Sequence, residues 1–383
     1  MTLLSKLPDV GTTIFSVMSK MANDFSAINL SQGYPDYDPP EELKERLIWY
    51  INNGFNQYAP MAGVYVLREQ CANKVKTFYG CSVNPDTEVT ITPGATEAIF
   101  CAVNAVVHAG DEVLMFDPAY DCYDPAVKLA GGIPVHIDLT PSDYSIDWSE
   151  VSLKISKRTR MIIINSPHNP SGSVLDENDI AELKKLALKH DLFVLSDEVY
   201  EHFVFDGAQH LSILRDPELA KRSFVVFSFG KTYHATGWKM GYVVAPEALS
   251  KQLRAVHQFV TFVAFTPAQH ALADFMQSSP EHLTQLPTFY ERKRDLLCTS
   301  MLASRFSFKP SAGSFFQVMD YSAISQQDDM EFSEWLTTSI GVAAIPMSVF
   351  YENKNLAKRH QVRFCFCKED ETILEAAKKL TDI

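Results

Sequence analysis

Between residues 88 and 245, short apolar runs alternate with stretches whose apolar residues recur at helical spacing. The runs at 89–91, 112–116, 133–137, 161–165, 192–196, 224–228 and 240–245 are too short for helices and read as buried strands. Between them, Ala98, Ala102, Ala105 and Val106 share one face of a helix that ends before Gly110. Ile180, Leu183 and Leu186 mark a second helix, with Asp176 as its N-cap. This alternation predicts an α/β fold, a mostly parallel seven-stranded sheet covered by helices on both faces. Ligands of such sheets bind beyond the carboxyl ends of the strands.

The pattern changes after about residue 275. Helical stretches at 280–303 and 330–340 mix with strand patterns at 315–319, 342–345 and 362–366, which predicts a smaller α+β domain. The first 40 or so residues hold no complete strand-helix unit. The expected division is a large domain at 45–275 and a discontinuous small domain at 1–44 and 276–383, with the N-terminal segment lining the cleft.

Length and composition agree with this picture. The 383 residues suffice for about two domains, and 46% hydrophobic residues imply a sizeable core. A net charge of −13 argues against nucleic acid as a partner, which needs a positive surface. Residues 1–10 carry Lys6 and Asp9 and lack the apolar core of a signal peptide. The apolar stretch 259–265 is far too short to span a membrane. Seven scattered cysteines read as reduced thiols, so a cytoplasmic protein is expected. Cys365 and Cys367 share a strand face and read as packing rather than as a metal site, and no metal is expected.

Several polar residues fall at the carboxyl ends of predicted strands. Lys231 follows the run 224–228, Asp197 and Tyr200 follow 192–196, and Asn169 follows 161–165. Gly94, Ala95 and Thr96 follow 89–91 and open a helix, and Tyr120 follows 112–116. Each alone also fits a plainer role. Asp197 suits a helix cap, Asn169 a turn before proline, Gly94 a turn and Tyr120 a core aromatic. Arg363, alone, suits a solvated strand position.

Together these residues match the needs of pyridoxal 5'-phosphate. A lysine in an apolar setting can lose its proton and form a Schiff base with an aldehyde. Asp197 would keep the pyridine nitrogen protonated, and Asn169 and Tyr200 would donate to the ring 3-oxygen. The N–H groups of Ala95 and Thr96, with Ser228 and Lys239, would hold the phosphate. Tyr120 would stack on the ring, and Arg363 would clamp a substrate carboxylate through two hydrogen bonds.

With these residues in view, the chain resembles the class I aminotransferases of fold type I. The likeness runs from about Gly11 to the C-terminus. Ser228-Phe229-Gly230-Lys231 through Gly241 resembles the family's lysine signature, Asn169-Pro170-Ser171-Gly172 its Asn-Pro-x-Gly turn, and Asp197-Glu198-Val199-Tyr200 its Asp-x-x-Tyr element. Arg363 falls at the family's carboxylate-binding arginine. Lys239 stands where many members carry arginine, and is similar to the kynurenine/glutamine transaminase branch. Gly11–Phe15, Thr236–Lys239 and Ala344–Pro346 are most similar to the bacterial methionine aminotransferases within it.

The resemblance implies a homodimer in which Tyr58 reaches the neighbouring cofactor phosphate. It places Gly33 near the substrate carboxylate, and Ile14, Phe15 and Tyr34 in the side-chain pocket. It implies ping-pong transamination, with Lys231 as both anchor and proton carrier, on methionine, glutamine, aromatic amino acids or kynurenine. A β-lyase acting on sulfur-containing amino acids would use the same constellation. A non-catalytic cofactor-binding sensor is the remote alternative, since the chain shows no added DNA-binding segment.

Overall fold

The computed structural model describes residues 4–8, 10–352 and 360–383. Parts of the stretch 1–10 and of the expected small domain lie outside these residues.

The central sheet has seven strands, in the spatial order Val89–Thr92, Gly241–Val244, Ser223–Ser228, Phe193–Asp197, Thr159–Asn165, Glu112–Asp117 and Ile133–Asp138. The last five of these are mutually parallel. Gly241–Val244 alone runs antiparallel to both of its neighbours. Three of these strands, Val89–Thr92, Glu112–Asp117 and Gly241–Val244, are buried at every position, which is why they read as continuous apolar runs rather than alternating ones.

The helix expected after Gly94 spans Ala95–Val106. The helix expected after Asp176 spans Glu177–His190 and carries a full capping box, in which Asp176 and Asp179 each accept the other's backbone N–H. The expected helix at 280–303 spans Glu281–Ser300.

The C-terminal region holds an antiparallel sheet of Ile345–Pro346, Gln361–Cys365 and Phe316–Asp320, with Gln361–Cys365 in the centre. The single strand expected at 342–345 is two short ones, because Ala344 lies between two different partners. Val342–Ala343 pairs with Ile28–Asn29 near the N-terminus, and Ile345–Pro346 with Gln361–Cys365. The N-terminal segment is thus tied to the C-terminal region by backbone pairing.

That segment holds a helix that strand-helix alternation did not reveal, Ile14–Asp24, capped by the Thr13 side chain. Helix Glu41–Asn52 packs on Thr266–Ser278, and the Tyr50 hydroxyl donates to Asp274 over 2.7 Å. It runs through the boundary expected at residues 44 and 45.

Candidate active site

The sheet topology explains why distant residues meet. Parallel strands ending at Asn165, Asp197 and Ser228 deliver the residues that follow them to one edge. Gly241–Val244 runs the other way, so the residues before it, Lys239 and Met240, emerge at the same edge. Gly241 pairs with both Thr92 and Ser228. A Cβ there would lie 2.8 Å from the Phe227 carbonyl oxygen and 2.9 Å from the Ala95 nitrogen, so only glycine fits.

A cavity of about 280 Å³ opens at this edge. Among the expected residues it is lined by Phe15, Gly33, Ala95, Thr96, Tyr120, Asn169, Asp197, Tyr200, Ser228, Lys231, Lys239 and Arg363. Three expected residues do not line it. Ile14, the first residue of its helix, packs with Met18, Val318 and Ile345. Tyr34 is 44% exposed, and Lys368 both donates to its carbonyl and sits over its ring. Tyr58 is 84% exposed, with its ring edge-on to Phe262.

Lys231 lies in a single helical turn, Phe229–Thr232, capped by Ser228, whose hydroxyl accepts the Lys231 backbone N–H at 3.3 Å. Its Nζ donates to the Gly33 carbonyl at 2.7 Å and lies over the Phe315 ring. Burial pulls its pKa down to about 8, and the cations of Arg363 and Lys239 act in the same direction. An amine so placed exchanges its proton near neutral pH.

Asp197 is buried, and burial pushes its pKa up to about 6. Opposing this, the Tyr123 hydroxyl donates to Oδ2 at 2.7 Å and the Val199 N–H to Oδ1 at 3.3 Å. Lys239 has a left-handed backbone and Gly94 a φ of 81°. Gly94 caps helix Ala95–Val106 without a side-chain hydrogen bond, which leaves the first N–H groups of that helix to an incoming anion. The Lys239 ammonium lies beside Gly94, 3.5 Å from where a Cβ would stand.

Arg363 sits mid-strand and is 1% exposed. One guanidinium nitrogen donates to Asn169 Oδ1 at 2.7 Å and the other to the Ser31 carbonyl at 3.0 Å. Its plane lies over Phe316, with Phe350 and Phe15 further out. Burial lowers its pKa to about 10, which leaves it a cation at neutral pH.

Residue-by-residue reading missed several participants. Gln32 lines the cavity and donates to the Phe15 carbonyl at 2.5 Å and the Ser19 hydroxyl at 2.6 Å, pinning the N-terminal helix to it. Asn165 accepts the Asn169 N–H at 2.8 Å and donates to the Asp197 carbonyl at 2.8 Å. Tyr123 and Phe316 were also missed. Asn165 was the one with a usable signal, since it ends a predicted strand.

This fold and cavity are those of an aminotransferase. The profile of the family described as aminotransferase class I and II matches residues 26–380, and the chain belongs to that family. It is a transaminase, acting on amino acids and 2-oxo acids. The chain is 49% identical to the methionine aminotransferase of Escherichia coli K12, over 99% of this chain and 98% of that protein. The solved structure of YbdL from Escherichia coli, with a methionine aminotransferase function, matches with a TM-score of 0.97 at 48% identity, covering 100% of both chains. The rat kynurenine–oxoglutarate transaminase 1 is 32% identical, over 98% of this chain and 96% of that protein.

Proposed function

We propose that the chain is a pyridoxal-phosphate-dependent aminotransferase that takes methionine, glutamine, aromatic amino acids or kynurenine as amino donor. The observation that carries this reading is the meeting of Lys231, Asp197 and Arg363 around one cavity. The donor set fits the cofactor. The uncapped start of helix Ala95–Val106, the Ser228 hydroxyl and the Lys239 ammonium suit its phosphate. Asp197 suits its ring nitrogen, Asn169 and Tyr200 its 3-oxygen, and Tyr120 its ring face.

When bound, the cofactor supplies an electron sink that acidifies the substrate Cα–H. The chain's own residues do the rest. Arg363 holds the substrate carboxylate, with Gly33 beside it. The low pKa of Lys231 lets its Nζ remove the Cα proton as a neutral amine. Phe15 and Phe316 line the cavity and give the substrate an apolar wall there. Apolar walls favour an apolar or aromatic side chain over a second carboxylate.

A homodimer completes this reading. Tyr58 is 84% exposed, Phe259 87%, Ile48 58% and Trp49 52%, apolar side chains that a second copy would cover. Tyr58 then reaches the cavity of a second copy. The proposed domain division sets helix Glu41–Asn52 with the large domain, on its packing against Thr266–Ser278. The seven unpaired cysteines support a cytoplasmic setting.

The test is a panel of amino donors against several 2-oxo acids, with borohydride trapping. Transamination of methionine, glutamine or aromatic donors, with the cofactor fixed to Lys231, is expected. Turnover by Lys231→Ala would overturn the role of Lys231. Ammonia and pyruvate released without an acceptor would assign a β-lyase instead.

A further inference from the structure

One side-chain cluster outside the cavity has the composition of a metal site. Glu97 and Cys101 stand four residues apart on helix Ala95–Val106, so they share a face. His257, from helix Glu247–Val260, meets them. His257 Nδ1 lies 2.7 Å from Glu97 Oε1, and the Cys101 thiol lies 3.0 Å from the same oxygen. The three donor atoms all fall within 4.8 Å of one another.

Two details go beyond a hydrogen-bonded triad. First, Glu97 Oε2 is buried and has no hydrogen-bond partner among the described residues. The Glu97 side chain is 10% exposed and that of His257 0%. A buried carboxylate oxygen without a donor is costly, and a cation would satisfy it. Second, both ring nitrogens of His257 face acceptors, Nδ1 facing Glu97 and Nε2 the Met61 carbonyl at 3.2 Å. A neutral imidazole satisfies only one of them. With a metal on Nδ1, the remaining N–H points at Met61, the backbone-carbonyl arrangement that orients histidine ligands.

We propose that Glu97, Cys101 and His257 bind a divalent transition-metal ion, with zinc the best match to a thiolate, imidazole and carboxylate set. Tetrahedral zinc leaves a fourth position for water. Binding forms Zn–S, Zn–N and Zn–O bonds, releases the thiol proton to solvent, and leaves the one proton of the neutral imidazole on Nε2, facing the Met61 carbonyl. No atom changes oxidation state. The ion would clamp the first turns of helix Ala95–Val106 to helix Glu247–Val260. The inference does not depend on the cofactor.

The test is metal content of the intact enzyme. Protein stripped with a chelator is dialysed against zinc and then against buffer, and zinc per chain is measured. About one equivalent is expected, with X-ray absorption showing one sulfur at roughly 2.3 Å. Cys101→Ser and Glu97→Gln should each retain at least about tenfold less zinc. Cys81→Ala, at a cysteine elsewhere, should retain the full amount. Zinc should also raise the melting temperature of the unaltered protein, a readout that needs no variant to fold. No retained zinc and no change in melting, or equal retention by Cys101→Ser, would overturn the proposal.

Discussion

The guanidinium carbon of Arg363 lies 3.9 Å from the centre of the Phe316 ring. The two residues belong to neighbouring strands, and Cys365 pairs in register with Phe316. Phe316 thus supplies a flat floor, while Asn169 and Ser31 fix the guanidinium edge by hydrogen bonds. A buried cation on an aromatic face gains about 1–2 kcal/mol. Replacing Phe316 by leucine should raise KM for every amino acid about tenfold, with a smaller change in kcat. Phe316→Tyr should restore most of the loss. An unchanged KM in the leucine variant would remove the ring from the carboxylate site.

Tyr123 makes a prediction about pH. Its hydroxyl stabilises the charged form of Asp197, whose pKa burial has already raised to about 6. Tyr123→Phe removes that donor, so the carboxylate becomes harder to ionise. A hydrogen bond to a buried charge is worth roughly 1.5–3 kcal/mol, or about one to two pH units. The acidic limb of the kcat/KM profile should move to higher pH by that amount, while activity at high pH is kept. A limb that stays in place would separate this limb from Asp197.

Why the first of these residues was legible and the second was not is a matter of distance along the chain. Arg363 and Asp197 sit in or just after apolar strands, where a charged group demands a reason. Tyr123 looks like any aromatic at the start of a helix, and its meaning comes from Asp197, on a strand that is not its sheet neighbour. The same holds for Gln32, whose partners Phe15 and Ser19 lie on a helix that alternation did not mark. The strand runs of the large sheet were legible because burial on both faces leaves a continuous apolar signature. The antiparallel direction of Gly241–Val244 was not, since a buried run looks alike in either direction.

Gly241 tests that strand's position. An added Cβ would meet the Phe227 carbonyl, the Ala95 nitrogen and the Gly94 carbon, all backbone atoms that cannot rotate away. Gly241→Ala should therefore push the start of helix Ala95–Val106 away from Ser228 and Lys239. The expected cost is about 1–3 kcal/mol of stability, with weaker retention of any phosphate-bearing cofactor. Thermal melting and the absorbance of the purified protein measure the two effects separately. Wild-type behaviour in both would show that the helix start can shift without cost.

A buried ion pair lies behind the segment that follows Asp197. Lys74 and Glu201 form an ion pair whose side chains are each 4% exposed. The Tyr79 hydroxyl also donates to Glu201, and Lys74 donates to the Tyr242 hydroxyl at 3.1 Å. The cluster ties helix Tyr65–Tyr79 to the segment that carries Asp197 and Tyr200. Removing one partner strands the other charge in the interior, which costs roughly 3–5 kcal/mol. Glu201→Leu and Lys74→Met should each lower the urea midpoint accordingly. Replacing both together, as Lys74→Met with Glu201→Leu, removes the stranded charge and should recover much of the loss, because desolvation had offset most of the pair's attraction. If the double variant is as unstable as the sum of the singles, Lys74 contributes through its ammonium over the Tyr79 and Phe227 rings rather than through Glu201.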